Sequence, residues 1–138
     1  MRLAIMAVIF LGSGFGQAVI TDSGSTNRQG MSVTMGAKGH AMIEARGGAK
    51  TKLSLQAELQ KRFLADLEAA GPIDQIKARH CMKSVSFGSS MYVTYKGVRS
   101  PDLSCAGQTD ATAAALQKEM QAIMDQARAK VPAAVHFR

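Results

Sequence analysis

Two stretches of the chain alternate apolar and polar residues with a period of two. In "MSVTM", residues 31–35, Met31, Val33 and Met35 share one face, and in "HAMIEA", residues 40–45, Ala41, Ile43 and Ala45 do the same. Successive strand side chains point to opposite faces, so this pattern predicts a hairpin. Its other face holds Ser32, Thr34, His40, Met42 and Glu44. The alternation returns in "CMKSVSF" and "MYVTYKG", which flank "GSS". There Val85, Phe87, Met91, Val93 and Tyr95 point one way, and Ser84, Ser86, Tyr92, Thr94 and Lys96 the other. Lys83 falls on the apolar side by parity, which implies a bulge or an edge position near Cys81.

Elsewhere the period lengthens. Leu55, Leu59, Phe63 and Leu67 recur at fours with Leu64 beside them, the stripe of an amphipathic helix. Ser54 is placed to cap it, and Gly71-Pro72 stops it. A second helix is predicted over residues 110–130. Asp110 caps it, Ala113, Leu116, Met120, Ile123, Met124 and Ala127 form its stripe, and Pro132 ends it.

The expected order is therefore ββαββα. "SVTMG" at 32–36 also matches "SVSFG" at 84–88, as in a doubled strand-strand-helix unit. Two such units can join four strands in one antiparallel sheet with both helices on its apolar face, a two-layer α+β sandwich. In such a duplicate, the basic residues after each hairpin (Arg46, Lys50 and Lys52; Lys96 and Arg99) would gather at one end of the sheet.

The first residues differ from the rest. Arg2 precedes the unbroken apolar run Leu3–Leu11, glycines follow, and Gly16-Gln17-Ala18 places small residues where a signal peptidase cuts. The run is shorter than the roughly 20 residues of a membrane span. Residues 1–18 are read as a secretory signal peptide, 19–30 as a flexible leader, 31–131 as one α+β domain and 132–138 as a tail. No transmembrane helix is expected in the mature chain, whose destination would be periplasmic or extracellular. Of 17 basic and 10 acidic residues, only Arg2 leaves with residues 1–18, so the mature charge is 16 − 10 = +6. The two cysteines, Cys81 and Cys105, then most simply form a disulfide at the base of the second hairpin.

Candidate chemistry is sparse. A paired Cys81 cannot serve His80 as a nucleophile. No nucleophile elbow, phosphate loop or forced carboxylate pair is legible. Thioether and imidazole suit copper(I), so His40 with Met42 and His80 with Met82 are the candidate metal ligands. Otherwise no cofactor is implied. The residues favour a non-enzymatic exported domain that binds an unknown protein or an anionic envelope component. Binding would use Arg46, Lys50, Lys52, Lys96 and Arg99, with Tyr92 and Thr94 on the polar sheet face. No specific nucleic acid is expected, because aromatics are not interleaved with the cations. The rival classes are a small exported hydrolase and a copper-handling protein.

Overall fold

The computed structural model describes residues 17–36, 39–84, 86 and 88–131. Residues 1–16 of the expected signal peptide 1–18, the C-terminal tail with Pro132, and the alternation partners Val85 and Phe87 lie outside the described residues. The elements run β1 (Ala18–Asp22), β2 (Met31–Met35), β3 (His40–Ala45), β4 (Lys50–Ser54), α1 (Ala57–Ala70), a 3-10 turn (Ile73–Gln75), β5 (Met91–Tyr95), β6 (Val98–Arg99) and α2 (Ala111–Lys130). All strands join one antiparallel sheet in the order β4-β3-β2-β1-β5-β6. An α+β chain with an antiparallel sheet and two helices was expected, but the sheet has six strands rather than four and a different order.

The differences lie in three places. The segment expected to be a leader supplies β1, which lies mid-sheet and pairs with both β2 and β5. Its "AVITD" alternates as cleanly as the other strands, with Ala18 and Ile20 fully buried. The glycines and serines after it make a tight connection. Gly24 adopts φ +75°, and a Cβ there would stand 2.5 Å from the Gly30 nitrogen, so both the dihedral and the close approach require glycine. The Asp22 carboxylate accepts from the Gly24 N–H, and Ser23 exchanges backbone hydrogen bonds with Ser90 through its N–H and hydroxyl.

Second, "CMKSVSF" is not a strand in any of its described residues. The segment is held from its sides instead: Lys83 pairs with Asp102 and donates to the Ser90 hydroxyl, and the Ser86 carbonyl accepts from Asn27 and Ser25. This removes the basis for a doubled unit. Third, the basic loop after Ala45 is short, and Lys50–Ser54 forms edge strand β4. Ser54 therefore ends a strand, and Gln56 stands at the start of α1 without a side-chain cap.

The helices match their stripes. Asp110 accepts from the Ala113 N–H at 3.0 Å, and Gly71 ends α1 at φ +72°. Phe63 and Leu67 of α1 and Leu116, Met120 and Ile123 of α2 are fully buried in a single core with Ile20, Val33, Met35 and Val93 of the sheet. Truncating Phe63 to alanine should cost about 3–5 kcal/mol.

Cys81 and Cys105 are disulfide-bonded, with Cα atoms 5.9 Å apart and a sequence separation of 24. The bond ties the irregular approach to β5 to the approach to α2, where Arg79 also donates to the Ala106 carbonyl. On the chain-entropy model such a loop is worth roughly 3–4 kcal/mol. The variant with both cysteines changed to serine should lose that much in urea unfolding, with the native sheet retained.

Candidate functional site

The helices cover one face of the sheet, and strand register composes the other. One cross-strand row runs Lys50–Glu44–Ser32–Thr21–Tyr92. The next runs Lys52–Met42–Thr34–Val19–Thr94–Arg99 and reaches both edges. His40 and Ser54 form a further pair beside it. Ser32, Thr34, Thr21, Tyr92 and Thr94 are half-buried by their neighbours, while Lys50, Lys52, Glu44 and Arg99 are exposed. With strands about 4.8 Å apart, the two ends of the longer row stand roughly 24 Å apart.

The row's composition sets its chemistry. Its interior is hydroxyl and apolar, Lys52 ends it on β4, Arg99 ends it on β6, and no carboxylate lies between. In the neighbouring row Glu44 stands directly opposite Lys50 and offsets its charge. The Arg99 guanidinium lies over the Tyr92 ring at 3.9 Å from its centroid. That stacking fixes the plane of the fork while leaving its N–H donors at the edge. Beside His40, a shallow depression of about 590 Å³ is lined by Gln17, Thr34, Met42, Lys52 and Ser54.

Tyr92, Thr94, Arg99, Lys50 and Lys52, predicted as binding residues, thus share one surface. Two others leave it. Arg46 sits in the β3–β4 turn, where its carbonyl accepts from Gln29. Lys96 occupies the β5–β6 turn at φ +53°, with Gly97 at +78°. This geometry suits a right-twisted two-residue hairpin and swings the ammonium to the helix side, where it meets the Glu68 carboxylate at 2.7 Å. Hydrogen bonding from Lys96 and then from Tyr95 holds the Glu68 carboxyl below its usual range. Tyr95, pushed up to about 12 by burial and by its hydrogen bond to Glu68, faces inward as its parity predicts.

The expected gathering of basic loops at one end of the sheet is also overturned. The β3–β4 turn lies at the end marked by Asp22 and Met91, and the β5–β6 turn at the end marked by Ala18 and Tyr95. Strand β1 separates the two hairpins, so the cations flank the sheet face rather than crowd one rim. Ser84 and Ser86, expected on that face, lie in the loop before β5.

Of the candidate metal ligands, His40 and Met42 are on β3, whereas His80 and the fully exposed Met82 are in the loop beside the disulfide. Among the described residues no three His, Cys, Asp or Glu side chains gather in a metal-holding group. No described helix is long and apolar enough to cross a membrane.

Two carboxylate features were missed from the sequence. Asp102, which served only as a turn residue in the sequence pattern, accepts from the Met91 and Ser104 N–H groups and pairs with Lys83. Burial works to raise its pKa, but the Lys83, Met91 and Ser104 hydrogen bonds outweigh that and hold it at about 2. The second is a contact between Glu119 of α2 and Asp66 of α1. Helical periodicity puts Glu119 beside the buried stripe, but no sequence signal pairs it with a residue 53 positions earlier.

Comparison with known proteins finds no matching family model, curated protein or solved structure.

Proposed function

We propose that this chain is an exported, non-enzymatic binding domain whose open sheet face holds a linear anionic polymer of the cell envelope. One observation carries the reading: a single cross-strand row with a cation at each edge, hydroxyls between and no acid. A small anion cannot touch both ends of a row roughly 24 Å long, whereas an extended polyanion crossing the strands can. Its charges would meet Lys52 and Arg99 while Thr34 and Thr94 hydrogen-bond between them. Nucleic acid is a poorer fit, since the ring of Tyr92 is already covered by Arg99.

Dextran sulfate and long-chain polyphosphate are suitable probes. Binding should weaken steeply with salt. It should fail in the K52Q/R99Q variant and survive in K61Q/K130Q, which removes equal charge from the helix layer. Equal loss in both variants would leave only non-specific attraction and end the proposal.

Lysines on an edge strand also deter pairing with another chain, and Lys50 and Lys52 stand on exposed β4. That second role predicts aggregation of K50Q/K52Q, a readout separate from binding.

The disulfide and the apolar run Leu3–Leu11 behind Arg2 support export. Cleavage after Ala18 would remove a residue paired with both Met35 and Tyr95. Gly14 and Gly16 supply the small residues needed for a cut two positions earlier. Intact mass of the secreted chain should show Gln17 as its first residue; a start at Val19 would contradict this.

A further inference from the structure

Glu119 is the one acidic residue placed between the helices with its side chain almost wholly enclosed among the described residues: that side chain is 9% exposed. Its Oε2 lies 3.6 Å from the Arg62 Nε, too far for a strong ion pair, and that guanidinium is mostly in solvent. Its Oε1 is buried with no hydrogen-bond partner. The neighbouring carboxyl across the helix interface is Asp66 of α1; Asp66 and Glu119 line adjoining grooves that meet at Ala115. Two carboxylates facing each other cannot hydrogen-bond; a carboxylic acid and a carboxylate can. Lys118 lines the adjoining groove of about 310 Å³ together with Leu59, Arg62, Ala115 and Ala122. Strand β4, which also meets α2, turns Thr51 and Leu53 inward and so offers no charge.

We propose that Glu119 and Asp66 form a proton-held latch between the helices: one shared proton closes it, and its loss leaves the enclosed Glu119 charge facing half-buried Asp66, offset only in part by Arg62. The latch lies between the helices, away from the open sheet face, and does not depend on that face's ligand. Burial first, and then the Asp66 hydrogen bond and charge, push the Glu119 carboxyl up to about 8, against Arg62, which lowers it. A carboxyl with a raised folded-state pKa favours folding below its unfolded value of 4.5, and that contribution is lost as pH rises toward about 8.

Thermal unfolding should therefore fall by several degrees between pH 7 and pH 9 in the natural chain. The E119Q variant keeps the shape and the donor but cannot ionise, and it should be nearly level across that range; D66N should flatten the profile in part. If E119Q proves unstable at every pH, the carboxyl carbon of Glu119 can be titrated by NMR in the natural chain. A midpoint near 8 supports the latch. A midpoint near 4.5, a level natural profile, or an equal fall in E119Q overturns it.

Discussion

Deleting residues 17–22 should abolish folding. The lost strand carries Ala18 and Ile20, both fully buried, and pairs along its whole length with β2 on one side and β5 on the other. Without it the sheet divides into β4-β3-β2 and β5-β6, and the second piece is a short hairpin that cannot stand alone. Asp22 would also leave, stranding Arg128, whose guanidinium it holds at 2.5 Å at the end of α2. The loss of a buried ion-pair partner, of the fully buried Ile20 and of the pairing on both sides of β1 is comparable with the roughly 5–15 kcal/mol that stabilises a domain of this size. Circular dichroism and amide NMR of a chain beginning at Ser23 should show no cooperative unfolding transition. A folded, cooperatively melting protein from that shortened chain would show that β1 is dispensable.

The second large effect concerns binding. Neutralising Lys52 and Arg99 together should weaken capture of dextran sulfate by about 30-fold at low salt. Each cation near a dense anionic surface contributes about 1 kcal/mol, and 1.4 kcal/mol corresponds to tenfold. The single variants should lose roughly fivefold each, because the two sites are far enough apart to act additively. R99K tests the stacking on Tyr92: it keeps the charge but loses the planar fork, and it should bind less well than the natural chain. Elution from an immobilised polyanion over a salt gradient measures all four. Unchanged elution of K52Q/R99Q would refute a role for the row.

The sequence exposed the local rules of this fold and hid its long-range joins. Period-two alternation found β2, β3 and β5 because one face of each is buried. Period-four recurrence found both helices, and the Asp110 cap and Gly71 stop fell where capping chemistry places them. The cysteine pair was legible because only one pairing exists. Strand β1 also alternates, but it follows a secretion-like apolar run and precedes glycine and serine, so its neighbours' composition masked it. Gly24 and Gly30 resemble a flexible segment by composition, and only their mutual approach shows that they tighten a turn. "CMKSVSF" failed in the opposite sense: it has strand composition, but β1 already occupies the position beside β5. The open face was legible in content, since Thr34, Tyr92 and Thr94 were placed on it by parity. Its cationic flanks were not, because the register of β4 and β6 depends on which strand sits in the middle. Lys96 left the face for a similar reason, since a turn with positive φ breaks the parity rule.

The pairing of β1 with β5 joins residues that lie some seventy positions apart, and this fixes an order of events during synthesis. The N-terminal strand is made first, yet one of its edges stays open until Tyr95 has emerged. Cys81 likewise waits for Cys105. On the proposed export route, a polypeptide threaded through a translocation channel must remain unfolded until it has crossed, and this topology would delay closure of the seam until most of the chain was through. The delay is inherent in the strand order and requires no separate device to hold the nascent chain open.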